Sequence, residues 1–110
     1  MDSDTLHSIG ELSRRTGLTV KTIRYYSDKG IVPATDRSPA GYRLYGPDAL
    51  ARLNLVRTLR DLGLDLATVR KVLDREATVP EVAEAHADAL DVQIQALRPR
   101  RAVLRAVARG

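Results

Sequence analysis

The sequence predicts a mainly α-helical fold: four short helices, a small β-hairpin among them, and one long helix at the C-terminal end. Three observations predict it. Capping residues and glycines bracket short apolar-periodic segments beginning at Ser8, Thr19, Pro47 and Asp65. A β-leaning run, Tyr42-Arg43-Leu44-Tyr45, follows a turn-rich stretch and interrupts the helical pattern. Beyond Thr78, small and apolar residues recur at an alternating four-three spacing almost to the last residue. The 110 residues suffice for one compact domain with an appendage. With no Trp, Phe or Cys, the core has to be built mainly from Leu, Val, Ile and Ala, which suits helices packed on helices.

Residues 1–7 are polar and are expected to be frayed and disordered, with His7 a surface histidine. The first helix runs from about Ile9 to Thr16. Ser8 is its N-cap, Glu11 closes a capping box, Ile9 and Leu12 give it an apolar side, and Gly17 stops it. The second helix runs from about Val20 to Lys29, with Thr19 as N-cap and Gly30 as the stop. Val20 and Ile23 share one face; Lys21, Arg24 and Tyr25 fall largely on others. Two short helices joined by a glycine-bearing turn form a helix-turn-helix unit, whose second helix enters the major groove of a duplex. The turn-rich segment from Pro33 to Gly41 then leads into a hairpin wing with Arg37 and Arg43 near its tip, suited to straddling a phosphate backbone. Among the tyrosines, Tyr26 is expected in the core, and Tyr25 and Tyr42 at the nucleic acid; Tyr45 is open between the two. Gly41 is a turn requirement rather than a contact.

Gly46-Pro47-Asp48 opens the third helix, where proline costs no hydrogen bond and Asp48 suits the positive end of the dipole. It continues to Leu62. Leu50, Leu53 and Val56 form one apolar stripe and Leu55, Leu59 and Leu62 another, so the helix is expected to be a hub covered on more than one side. Asp65 caps a fourth helix, Leu66 to about Asp74, with Leu66, Val69, Val72 and Leu73 inward and Arg70 and Lys71 elsewhere. Residues 8–75 thus make the reading domain, and residues 78–110 a dimerisation helix opened by the capping box Thr78-Val79-Pro80-Glu81.

On that last helix Ala83, Ala87, Leu90, Ile94, Leu97, Arg101, Leu104 and Ala108 form a coiled-coil seam. Nothing else in the chain is left to cover it, so a second copy is expected. Glu76–Asp91 carries five acidic side chains and no Lys or Arg; Arg98–Arg109 carries five arginines and no acid. An antiparallel, two-fold pair sets each acidic half against a basic one. Pro99 removes a helical hydrogen bond at a cost of ~3 kcal/mol, so a kink or break is expected there.

Net charge is +4, but its distribution matters more: Ser8–Arg60 holds ten basic residues against four acidic. Arginine outnumbers lysine fifteen to three, a bias that a GC-rich genome largely explains. The lack of cysteine excludes disulfides and thiolate metal sites. Two histidines far apart leave no visible nucleophile–base set, so neither an enzyme nor a cofactor is expected. No apolar run is long enough to cross a bilayer and no signal sequence opens the chain, so a cytoplasmic, nucleoid-associated protein without membrane contact is expected.

The runs TIRYY, GIVP, GYRLY before the helix at Pro47, and LRDLGLDLATVRKVL, in that order and spacing, resemble the MerR family of bacterial transcription regulators over Ser8–Leu73. There is one departure: where the family usually has an acidic residue directly after the paired tyrosines, this chain has Ser27, with Asp28 next. The resemblance implies a winged helix-turn-helix and an antiparallel coiled-coil homodimer. It also implies a second wing, for which Arg60, Arg70 and Lys71 are the phosphate candidates. The partner would be double-stranded promoter DNA, bent and untwisted so that RNA polymerase engages both promoter elements. The expected contacts are Thr19, Lys21, Thr22, Arg24, Tyr25, Arg37, Tyr42 and Arg43, with the three second-wing residues. Family members carry an inducer site beyond the dimer helix, so this chain is expected to be the DNA-binding portion of a longer effector-responsive regulator, the alternative being a signal that arrives otherwise. The rivals are an excisionase-like or architectural DNA-bending protein, and a module whose basic domain binds an acidic protein.

Overall fold

The computed structural model describes residues 5–110. In chain order the elements are β1 (His7–Ser8), α1 (Ile9–Thr16), α2 (Val20–Asp28), β2 (Asp36–Arg37), β3 (Arg43–Tyr45), α3 (Pro47–Asp61), α4 (Leu66–Leu73) and α5 (Val79–Ala108). The mainly helical expectation holds, with one addition. The wing is a three-stranded antiparallel sheet in the order β1-β3-β2, because His7 pairs with Tyr45 and Ser8 with Leu44. This corrects the frayed segment at its last residue: His7 is buried in a strand rather than exposed. Residues 1–4 of that segment lie outside the described residues.

Local chemistry sets the helix ends. Ser8, Thr19, Asp65 and Thr78 each accept a backbone N–H from the residue three positions on. Only Thr78 and Glu81 form the reciprocal capping box. The box expected at Ser8 is half made. Glu11 turns away from the Ser8 backbone, its carboxylate lying 3.0 Å from His7 Nδ1 and 3.2 Å from Arg15 Nε. Two residues past the end of α2, Gly30 turns the chain with a left-handed φ of 74°, open to glycine at little cost.

The core is one cluster under the sheet and between the helices. Leu12, Ile23, Tyr26, Ile31, Val32, Tyr45, Leu53, Val56, Leu59, Leu64 and Val69 are buried, and Val82 of α5 joins them. Tyr26 and Tyr45 are both core residues. Helix α3 packs against α1, α4 and β3, the hub its two stripes foretold, although Leu62 at its end is exposed.

Arginines close the open ends of this core. Arg57 Nη1 donates to the Thr16 carbonyl at 2.6 Å, and Arg52 donates twice to the Ile31 carbonyl, at 3.0 and 2.8 Å. The Thr16 carbonyl ends α1, has no helical partner and carries partial negative charge, so a guanidinium satisfies both needs at once; the Ile31 carbonyl lies in the loop after α2.

Helix α5 leaves the domain as a continuous rod of 30 residues. At 1.5 Å per residue that is ~45 Å, and it accounts for the 69 × 31 × 24 Å extents. Of the kink or break expected at Pro99, the break does not occur; Pro99 lies inside the helix. Ala83, Ala87, Leu90, Ile94, Leu97, Arg101 and Leu104 are all exposed in the single chain.

Three carboxylates give the fold an acid limit. Asp65 is held below the usual aspartate range by the Thr68 N–H and hydroxyl, and Glu81 below the glutamate range by Thr78. Glu11 is lowered by His7 foremost and by Arg15. A lowered carboxylate contributes stability above its unfolded pKa and loses it as pH falls through the folded one. The thermal midpoint is therefore expected to drop as pH is taken below about 4. Glu81→Gln keeps the capping geometry without the titrating group, so circular dichroism melts should show a shallower acid decline. An identical decline would exclude Glu81 as a contributor.

Candidate nucleic-acid interface

The helix-turn-helix puts α2 on the outside of the domain. Ile23 and Tyr26 are its buried side; Lys21, Arg24 and Tyr25 are exposed and Thr22 is half-buried. The N-terminal turn is organised by Thr19. Its hydroxyl oxygen accepts the Thr22 N–H at 3.1 Å, and its proton goes to Thr22 Oγ1 at 2.9 Å. Thr19 is therefore committed to capping, and Thr22 keeps the free hydroxyl proton. Farther along, Lys29 Nζ sits 5.7 Å from the centre of the Tyr25 ring, which packs tilted against Tyr26. Tyr25 thus shows a half-exposed ring with a cation beside it.

The wing is closed tightly. Ser38 N–H donates to the Tyr42 carbonyl at 2.8 Å, Tyr42 N–H to Ser38 Oγ at 3.0 Å, and Gly41 N–H to the Ser38 carbonyl at 2.8 Å. Gly41 has φ 88°, the turn requirement its position suggested. Tyr42, 73% exposed, stands out from the tip. Arg37 and Arg43 are directly opposite each other on β2 and β3. Like charges paired across a ladder destabilise it, and Asp28, 2.8 Å from Arg43, offsets one of the two.

Between α2 and the wing lies a groove of about 280 Å³, lined by Arg24, Arg37, Tyr42, Arg43, Gly41, Ser8 and Ile9. Four sequence candidates, from α2, β2, β3 and the turn before β3, meet there, and no carboxylate lines it. The two arginines of the wing are held differently. Arg37 Nη1 donates to the Gly41 carbonyl at 3.0 Å and stays exposed. Arg43 Nη2 pairs with Asp28 Oδ1 at 2.8 Å, and its Nη1 is buried without an acceptor among the described residues. Hydrogen bonding to Asp28, with a smaller part from Tyr45, strengthens its hold on its proton.

This resolves the departure at Ser27. Tyr45 donates its hydroxyl proton to Ser27 Oγ at 3.1 Å, while Asp28, one residue on, takes Arg43. Two adjacent residues of α2 thereby tie the wing to the reading helix. Asp28 is a residue that sequence reasoning did not place in the site. Its spacing from Arg43 carries no local periodicity, and only the shifted acidic residue hinted at it.

The second-wing residues lie outside this groove, around α3 and α4. Arg60 Nη1 donates to the Leu64 carbonyl at 3.1 Å, and Arg70 Nη1 to the Lys29 carbonyl at 3.0 Å, joining α4 to the end of α2. Each keeps exposed donors but also serves the fold. Lys71 is exposed and makes no such bond. Among the described residues no group of acidic and histidine side chains is arranged to hold a metal, and no helix is long and apolar enough to cross a membrane.

A family model described as MerR HTH family regulatory protein matches residues 7–76, and one described as MerR, DNA binding matches residues 50–107. The nodulation protein NolA of Bradyrhizobium diazoefficiens is 34% identical over 86 residues, covering 78% of this chain and 36% of NolA. The chain therefore spans about a third of the length of that relative. The ZntR homolog of Haemophilus influenzae, an HTH-type transcriptional regulator, is 33% identical over 92 residues, covering 84% of this chain and 68% of its own. Among solved structures, the lead(II) complex of the transcription regulator PbrR691 from Ralstonia metallidurans CH34 superposes with a TM-score of 0.78 at 29% identity, over 92% of this chain and 84% of that one. HiNmlR, a regulator lacking the sensor domain and bound to promoter DNA, shares the fold with a TM-score of 0.60 at 18% identity, over 94% and 79% of the two chains.

Proposed function

The chain belongs to the MerR family of helix-turn-helix regulatory proteins, and we propose that it works as an antiparallel homodimer reading a pseudo-palindromic promoter site. The groove in which Arg24, Arg37, Arg43 and Tyr42 converge carries this reading. It receives a backbone phosphate, and that contact sets α2 into the major groove with Lys21, Thr22, Arg24 and Tyr25 toward the bases. Arg60, Arg70 and Lys71 hold the backbone beyond it. The exposed seam of α5 joins the two copies.

Many phosphate contacts offset a deformation costing a few kcal/mol, so the bound promoter is bent and untwisted, and RNA polymerase is affected through the DNA. The chain supplies the reading and pairing parts of a regulator that also responds to an effector. It works in the cytoplasm at the nucleoid and catalyses no reaction. A DNA-bending protein of recombination would use the same groove but lack preference for a promoter spacer.

The test is duplex binding by fluorescence anisotropy across salt. With about six to ten phosphates neutralised per dimer, log affinity should fall against log salt with a slope of roughly −5 to −9. A footprint should centre on a promoter spacer. A slope near zero would point to an acidic protein partner instead, and a footprint without sequence preference to the architectural rival.

A further inference from the structure

Helix α5 is attached to the reading domain over a very short length. Val82 is its one buried residue, and His86, a turn later, is half-buried; every residue beyond it is exposed. Beyond His86 the helix runs free for 22 residues to Ala108, a lever of ~33 Å. A tilt of about 10° at His86 would move its far end by ~6 Å. Whatever holds His86 therefore sets where the lever points.

What holds it is specific. The imidazole Nε2 lies 3.1 Å from the Leu62 carbonyl, at the C-terminal end of α3. That carbonyl is one of the helix-end acceptors with no helical partner. Nε2 donates to it in the neutral ring with the proton on that nitrogen, and equally in the charged ring. Beneath the ring is Gly63, at φ 95°. A Cβ there would come within 3.1 Å of Nε2 and 3.7 Å of Cε1. The glycine thus ends α3 and leaves room for the histidine. The groove alongside, about 280 Å³ between the α3–α4 turn and α5, leaves the rest of this junction loosely filled. His86 is the side chain of α5 that makes a polar bond to the reading domain among the described residues.

We propose that His86 is a positioning residue that fixes the angle between the reading domain and α5, and through it the half-site separation that a dimer accepts. The second clause rests on the dimeric DNA-binding reading; the first does not.

Two measurements separate them. The chain has no cysteine, so Ala40→Cys with Gln95→Cys places two spin labels, one at the wing tip and one on the lever. Labelled chain diluted into unlabelled chain then reports the intramolecular distance by electron–electron resonance, whether or not DNA binds. His86→Ala should broaden that distribution at least twofold, and His86→Gln, whose amide N–H reaches the same carbonyl, should restore it. An unchanged width in His86→Ala overturns the proposal.

The second measurement uses promoter duplexes whose spacer is lengthened or shortened by one base pair, rotating the half-sites by about 35°. The unsubstituted protein should lose about tenfold in affinity per base pair, and His86→Ala less than threefold, with affinity for a single half-site unaltered. A broadened distance with an unaltered spacer penalty overturns the second clause alone. Failure of the unsubstituted protein to bind any duplex overturns the DNA reading and leaves the distance result to judge His86.

Discussion

Leu90→Glu combined with Ile94→Glu is expected to convert the dimer into a monomer at micromolar concentration. Both side chains are large and apolar, and among the described residues they remain 41% and 48% exposed. Full burial of one such side chain is worth about 1.5–3 kcal/mol, and a two-fold interface buries each twice. Losing four partly buried groups, and placing four carboxylates in a seam, should weaken the dimer by roughly a thousandfold or more, which is ~4 kcal/mol. The reading domain should be spared, since neither residue touches its core. Sedimentation velocity checks the mass, and far-ultraviolet circular dichroism checks that the domain is folded. DNA affinity should fall by about two to four orders of magnitude, because one head alone loses the effective concentration that the other supplies. A dimer that persists would mean the pairing surface lies elsewhere on α5, where Val92, Val103 and Val107 are also exposed.

The same helix shows what a sequence can and cannot disclose. Its beginning was legible because the capping box is local: Thr78 and Glu81 are three residues apart and satisfy each other. The caps at Ser8, Thr19 and Asp65 were legible for the same reason. Pro99 does not break the helix, because a ~3 kcal/mol local cost is outweighed by the hydrogen bonds of a 30-residue helix on either side of it. His7 was misplaced because its partner Tyr45 is distant in sequence, and a two-residue strand has no periodicity to detect. The arginines divide along the same line. Arg24 and Arg37 announced themselves by standing on a reading helix and a wing. Arg52 and Arg57 gave no sign that they would close the carbonyl ends of other segments. A charge count over Ser8–Arg60 therefore overstates the cations free for phosphate, since several already serve backbone oxygens.

That distinction among arginines yields the second large effect. Arg24→Ala with Arg37→Ala removes two exposed guanidinium groups from the groove of each head. If each meets one phosphate, a dimer loses four contacts, and the slope of log affinity against log salt should flatten by about 3.6, at 0.9 per phosphate. Affinity near 100 mM salt should drop by about a hundredfold or more on every duplex, because phosphate contacts carry no sequence. Arg43→Ala should behave differently. Its guanidinium is already held by Asp28 at 2.8 Å and so is less free to meet a phosphate, and its removal should change the slope by much less than Arg37→Ala does. Affinity should still fall, because the tie between the wing and α2 is lost and the groove no longer holds its shape before DNA arrives. Restoring a cation with Arg43→Lys should recover only part of that loss, since lysine offers a point charge where the arginine offers a planar fork. Titrations of the four variants and the unsubstituted protein over a common salt range decide the matter. Equal flattening by Arg37→Ala and Arg43→Ala would show that Arg43 leaves Asp28 to take a phosphate. No flattening in the Arg24 and Arg37 double variant would remove the groove from the DNA interface altogether.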